Sequence, residues 1–258
     1  LFQRILPTLL LLGCLVGCAP TRTSLKPPAF QAFPVPTPPA LTDEQLMGLQ
    51  KLRGLWKDEE SGQFALKEVM EAYRDLREAA LKDGWRLQLV SGYRSFGNQR
   101  RIWNKNDRRL ADREDLTEGA KVRIIMSTVS IPGLSRHHWG TELDITERSL
   151  RGQLVPLKEG TPKKVRDFYD WMERNAPRYG FCRVYQGKGG SIVDEPWHWS
   201  YHPFASIYQE QFVKIGDFKG ILNKDVAGIR YIIRNFGEIF TLAVRSVDSG
   251  CSPAKSGK

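Results

Sequence analysis

The chain has 258 residues, 41% of them hydrophobic and 10% aromatic, enough apolar material for a packed core and too much for a disordered chain. Its 39 Lys and Arg against 29 Asp and Glu leave a net charge of +10, which favours an anionic partner such as nucleic acid, a membrane surface or an acidic cell wall. No RNP-type, zinc-finger or helix-turn-helix pattern occurs, which argues against nucleic acid, and the length fits one sizeable domain with additions or two small ones.

Residues 1–18, LFQRILPTLLLLGCLVGC, place Arg4 ahead of an apolar run from Ile5 to Val16 that only Pro7, Thr8, Gly13 and Cys14 interrupt. The run is shorter than the ~20 apolar residues a membrane span needs and suits the core of a signal peptide. Leu15-Val16-Gly17-Cys18 resembles a bacterial lipobox, in which Cys18 becomes the lipid-bearing first residue of the mature protein. An ordinary secretory signal with an incidental cysteine is the alternative. Ala19, where an Asp would act as a retention signal, resembles the pattern that sends lipoproteins to a Gram-negative outer membrane. Residues 19–40 are dense in proline and read as an extended tether. Anchor and tether together predict a periplasmic protein, lipid-anchored to the membrane and facing the wall. With Cys14 removed and Cys18 acylated, Cys182 and Cys251 remain, either as a disulfide in an oxidising compartment or as two buried thiols.

Thr42-x-x-Gln45 matches a helix capping box and opens the folded region at about residue 41. From Gln63 to Lys82, Leu66, Met70, Tyr73, Leu76 and Ala80 recur at helical spacing, and Asp83-Gly84 ends the helix. Trp85 to Val90 alternates as a half-buried strand and runs into SGYRS. Phe96, Gln99, Ile102 and Trp103 predict a short helix, residues 104–120 a charged loop or cover, and Arg123 to Val129 a strand. Thr141 to Thr146 is a second short strand. Thr161-Pro162 starts a helix whose buried face holds Val165, Phe168 and Met172, and Pro177 and Gly180 stop it. Gly187 to Gly190 reads as a hairpin turn, followed by a strand from Trp197 to Tyr201. A helix around Val226 to Asn235 and a strand around Ile239 to Val247 complete the chain. These elements predict an α+β fold, a small and mainly antiparallel sheet with flanking helices. The expected division is a domain over residues 41–210 and a C-terminal extension over 211–258 of unknown role.

All four histidines fall in two aromatic-flanked segments, SRHHWGTELD (Ser135 to Asp144) and EPWHWSYH (Glu195 to His202). His137, Asp144 and His198 form a candidate zinc set, since two imidazoles, one carboxylate and an open fourth position make a catalytic rather than a closed structural site. On a regular strand, residues seven apart face opposite sides, so His137 and Asp144 meet only if the chain turns between them, and Gly140 is placed to make that turn. Glu195 and His198 face the same conflict, and Pro196 permits a bend that puts the Glu195 carboxylate beside a metal-bound water. Alternation turns Trp197 and Trp199 away from His198 into the core. His138 and His202 read as hydrogen-bonding or surface residues rather than a fourth ligand.

Ser135-x-His137-x-x-Gly140-x-x-x-Asp144 followed by Glu195-x-x-His198 resembles the signature of LAS-type zinc peptidases, the VanY-like D-alanyl-D-alanine carboxypeptidases. Ser91-Gly-Tyr-Arg-Ser95 with Gln99 resembles the substrate-binding segment of that family, and Asn175-Ala-x-x-Tyr-Gly-Phe181 its approach to the final strand. The resemblance covers about residues 60–205 and implies Zn2+ on His137, Asp144 and His198. It implies Glu195 as general base, Arg94 as a grip on the substrate's terminal carboxylate, and Gln99 and Ser135 as hydrogen-bonders to the peptide. The implied substrate is the stem peptide of peptidoglycan, cut at its C-terminal D-amino acid. A peptidoglycan endopeptidase and a non-catalytic, zinc-containing wall-binding module are the alternatives. Glu142 departs from the pattern, because many members carry a small alanine there. Either it points at the site and alters substrate preference, or the twist of the strand turns it away.

Overall fold

The computed structural model describes residues 37–187, 193–222, 224–245 and Cys251. The lipobox, most of the proline-rich segment and most of the turn expected at Gly187 to Gly190 lie outside them. The capping box forms as expected at helix α1 (Asp43–Leu46): Thr42 Oγ1 accepts from the Gln45 amide at 3.2 Å, and the Gln45 side chain accepts from the Thr42 amide at 3.0 Å. Strands β1 (Leu55–Lys57) and β2 (Phe64–Leu66) make an antiparallel pair. Helix α2 (Lys67–Lys82) follows directly and starts later than the expected Gln63, because Phe64–Leu66 pairs as β2; it buries Met70, Tyr73, Leu76 and Ala80 as the spacing predicted, together with Val69.

Strand β3 (Leu87–Ser91) leads through the SGYRS turn into helix α3 (Phe96–Arg108), which is longer than the short helix expected. Helix α4 (Glu118–Met126) occupies the end of the segment expected as a charged loop and most of the strand expected from Arg123 to Val129. Thr117 caps α4 by accepting from the Ala120 amide at 3.2 Å. Val122, Ile125 and Met126 then share one buried face, and that three-to-four spacing prevails over the strand preference of Val122, Ile124 and Ile125.

The remaining strands are β4 (Glu142–Glu147), β5 (Phe181–Arg183) and β6 (His198–Tyr201), with helix α5 (Lys163–Asn175) between β4 and β5. Among the described residues they form, with β3, a four-stranded antiparallel sheet in the order β3-β4-β6-β5. This is the α+β architecture that the sequence predicts. Strand β4 lies inside the sheet and is buried at every residue. Its register puts Asp144 opposite His198 on β6 and Ser91 on β3. Just before it, a 3-10 turn (Arg136–Trp139) ends at Gly140, whose φ of 72° is the left-handed conformation glycine adopts without penalty.

Helices α6 (His202–Phe212), α7 (Lys219–Leu222), α8 (Ile229–Arg234) and α9 (Phe236–Phe240) follow the sheet, and a π-helical turn (Thr241–Arg245) follows α9. The strand expected around Ile239 to Val247 is therefore helical over its described part. Phe236 and Phe240, four apart on one helical face, pack around Phe218, and Phe240 stacks on Phe212, which fixes the helix by tertiary contact. Ile215, Phe218, Ile232 and Ile239 join the core shared by α2 and the sheet, so the segment beyond residue 210 packs as part of the same body. A disulfide links Cys182 on β5 to Cys251. Among the described residues, no helix is long and apolar enough to cross a membrane.

Candidate metal centre

His137 sits on the 3-10 turn before Gly140, Asp144 in the middle of β4, and His198 at the start of β6. The turn at Gly140 resolves the geometric conflict between His137 and Asp144, and the sheet register brings in His198. Their potential ligand atoms lie within 4.8 Å of one another, and all three side chains are buried. His137 Nε2 is 3.5 Å from Asp144 Oδ2, and His198 Nδ1 is 3.3 Å from Asp144 Oδ1. The outer nitrogens set which inner nitrogen faces the centre. His137 Nδ1 donates to the Gly92 carbonyl at 2.7 Å, so its Nε2 points inward. His198 Nε2 donates to Glu142 Oε2 at 2.9 Å, so its Nδ1 points inward.

Asp144 Oδ1 is buried and has no hydrogen-bond partner among the described residues. A buried carboxylate oxygen left unbonded 3.3 Å from the inward-facing nitrogen of His198 is costly unless a cation completes it. The donor set therefore fits a metal ion, and two imidazole nitrogens with one carboxylate suit zinc.

Glu195 lies just ahead of β6 in a turn, where its carbonyl accepts from the His198 amide at 3.1 Å. That bend at Pro196 brings residues three apart to one side. Glu195 Oε2 stands 3.6 Å from His198 Nδ1. Burial, with the Asp144 charge adding to it, pushes the Glu195 carboxyl up to about 7 against the opposing pull of His198 and Arg94. Burial works against charge on His198 as well, but the Asp144 and Glu142 carboxylates outweigh it and raise the ring to about 9. A metal ion held by His198 would take the place of that proton.

Arg94, His137, Asp144, Glu195 and His198 line a cavity of about 180 Å³ whose apolar wall includes Ile102, Val129, Leu154 and Trp197. The Arg94 guanidinium donates to Asp144 Oδ2 at 2.6 Å, to Ser91 Oγ at 2.8 Å and to Gln99 Oε1 at 3.3 Å. Gln99 and Ser135 do not line this cavity. Gln99 is fully buried, with its amide nitrogen donating to the Ser130 carbonyl at 2.7 Å, so it holds Arg94 in place. Ser135 is buried at the start of the 3-10 turn, where its carbonyl accepts from the His138 amide at 3.1 Å.

His138 is no ligand: its Nδ1 donates to the Arg94 carbonyl at 2.6 Å and its Nε2 accepts from the Gly133 amide at 3.0 Å. Trp199 is in the core as expected, but Trp197 is only half-buried and lines the cavity. It precedes the first residue of β6, so strand alternation does not govern it. Glu142 takes neither of the two positions expected for it. It lies fully buried behind His198 and is bonded to the far ring nitrogen. The sequence alone assigns no role to its partner Arg136, whose one signal there is a charged residue between Leu134 and Trp139.

One zinc ion should bind per chain, and His137→Ala or His198→Ala should abolish tight binding by removing one of three protein ligands. Elemental analysis of protein prepared without chelator and then supplemented with zinc checks this, and metal-free parent protein would refute it.

Residues 63–204 match the VanY family of D-alanyl-D-alanine carboxypeptidases. YodJ of Bacillus subtilis (strain 168) is 32% identical over 141 residues, 54% of this chain and 46% of that protein. A D-alanyl-D-alanine carboxypeptidase of Enterococcus faecalis (strain ATCC 700802 / V583) is 28% identical over 131 residues, 50% of this chain and 44% of the relative. The chain thus spans a little under half the length of these two relatives. Similar solved structures include VanYB in complex with D-Ala-D-Ala, at 22% identity and a TM-score of 0.48 over 63% of this chain and 89% of that one. A vancomycin-resistance D,D-pentapeptidase VanY variant in complex with Zn(II) is similar at 23% identity and a TM-score of 0.49, over 64% of this chain and 92% of that one. With more than half of its length matched, and with the signature residues gathered at one buried centre, the chain belongs to the VanY D-alanyl-D-alanine carboxypeptidase family.

Proposed function

We propose that this chain is a zinc carboxypeptidase that removes the C-terminal D-amino acid from peptidoglycan stem peptides. The observation that carries the reading is Glu195, a buried carboxylate beside the His137–Asp144–His198 set in a cavity that also holds Arg94. A structural zinc site needs no such base. When bound, zinc polarises a carbonyl oxygen and makes water acidic enough to lose a proton near neutral pH. Glu195 takes a proton from the attacking water and returns it to the departing amine, so the peptide C–N bond breaks with one water added across it. Its raised proton affinity suits both halves of that exchange.

Arg94 supplies the preference for a free C-terminus. Of the five N–H donors of a guanidinium, three are used by Ser91, Gln99 and Asp144. Among the described residues, one on Nη1 and one on Nη2 are left for a substrate carboxylate. The small cavity and its apolar wall suit a short side chain such as a methyl group. The lipobox reading of Leu15 to Cys18 and the proline-rich stretch after it support an anchored, periplasmic enzyme reaching the wall from the outer membrane. The positive net charge suits an acidic wall polymer.

Glu195→Gln should retain zinc and lose turnover of stem pentapeptide by about 10²–10⁴-fold, as followed by mass spectrometry of released D-alanine. Turnover at the parent rate would refute the assignment, and a parent that binds zinc but releases nothing would support the wall-binding module. Capping the peptide's C-terminus as an amide should weaken cleavage greatly, and Arg94→Lys should weaken cleavage of the free acid and narrow the difference between the two substrates. Equal cleavage of acid and amide by the parent would favour an endopeptidase. In full-length protein expressed in a Gram-negative host, Cys18→Ser should stop incorporation of labelled fatty acid and release the protein from the membrane fraction. An unlabelled parent would refute the lipid anchor.

A further inference from the structure

Glu142 departs from the small residue that the family resemblance leads one to expect, and neither metal binding nor the proposed catalysis uses it. It sits two residues before Asp144 on β4, opposite Ser200 on β6, with no solvent exposure. A carboxylate in that position is tolerated only when its oxygens are bonded and its charge is offset. Oε1 accepts from Ser200 Oγ at 2.8 Å, Thr141 Oγ1 at 3.1 Å and Arg136 Nε at 3.2 Å. Oε2 accepts from His198 Nε2 at 2.9 Å. Arg136 is itself buried, donating to Gln209 Oε1 at 2.6 Å and Ser200 Oγ at 3.0 Å, with its guanidinium 4.6 Å from the centre of the Trp139 ring. Gln209 is fixed in turn by donating to the Val244 carbonyl at 2.8 Å.

A histidine can bind metal through either ring nitrogen, and the partner of the other nitrogen decides which. Strand position alone leaves that choice open for His198. We propose that Glu142 is a positioning residue that selects Nδ1 of His198 as the metal-binding nitrogen and strengthens its bond to the metal, with Arg136 as the buried cation that keeps the carboxylate there. The inference rests on the metal reading above and adds to it a role for a residue outside the ligand set. The competing account is a buried ion pair that only stabilises the fold, and such pairs can often be replaced by apolar residues without loss of stability.

One measurement tests the ring assignment, and a second separates these accounts. In zinc-loaded parent protein labelled with 15N histidine, NMR should show His198 with hydrogen on Nε2 and metal on Nδ1. The double variant Glu142→Ala/Arg136→Met removes both buried charges at once. Its metal-free form should melt near the parent's temperature, while chelator competition shows zinc held about 10–100-fold more weakly. Zinc bound through Nε2 in the parent, or held by a folded double variant as tightly as by the parent, would overturn the proposal. If the double variant does not fold, the ring assignment in the parent still tests the proposal. A parent that binds no zinc overturns the metal reading along with this one, whereas a zinc-binding parent with the opposite ring nitrogen overturns this one alone.

Discussion

Strand β4 is buried along its whole length, yet it carries Glu142, Asp144, Thr146 and Glu147. Carboxylates cannot stay ionised inside a protein without partners, and much of the surrounding structure supplies them. Asp144 draws in His137, His198 and Arg94. Glu142 draws in Arg136, Ser200 and the far side of His198. At the end of the strand, Glu147 turns back to accept from the Ser149 amide at 2.9 Å. The centre is thus the meeting point of groups that no apolar core can accept singly.

The parts of this arrangement legible in the sequence were those set by residue type and by backbone exceptions. Two histidine clusters and a carboxylate named the ligands, and Gly140 and Pro196 marked where regular strand geometry had to break. What could not be read was tertiary in origin. Arg123 to Val129 and Ile239 to Val247 contain β-branched residues that suggest strands. Their helical state depends on Thr117 as a cap and on Phe212 and Phe218 as packing surfaces. Period-two reasoning leaves Glu142 either facing the site or turned away, and says nothing of an arginine arriving from the preceding turn. Gln99 and Ser135 belong to the right motifs, but the structure makes Gln99 a support for Arg94 and places Ser135, buried, at the start of the turn that carries His137.

The match to the family ends at residue 204, while the core does not. Helix α6 supplies Gln209, which joins Arg136 to the carbonyl of Val244. On the other side of the sheet's end, Tyr185 packs its ring 4.9 Å from that of His198 and shares a small buried cluster with Cys182 and Cys251. Residues after the matched region therefore reach the ligand His198 by two routes, one polar and one apolar. The positions of the metal-facing groups depend on chain that the signature motifs do not include.

The cross-link between Cys182 and Cys251 also acts on the chain before it folds. It joins positions 69 residues apart, and the ring so closed contains Glu195 and His198 while His137 and Asp144 lie outside it. Confining a loop of that length removes conformations from the unfolded ensemble and, on the chain-entropy account, contributes about 4 kcal/mol to stability. The proposed base and one ligand of the candidate set thus belong to a tethered loop, and the other two ligands to open chain. An oxidising environment favours the folded centre by restricting the alternatives open to one half of it.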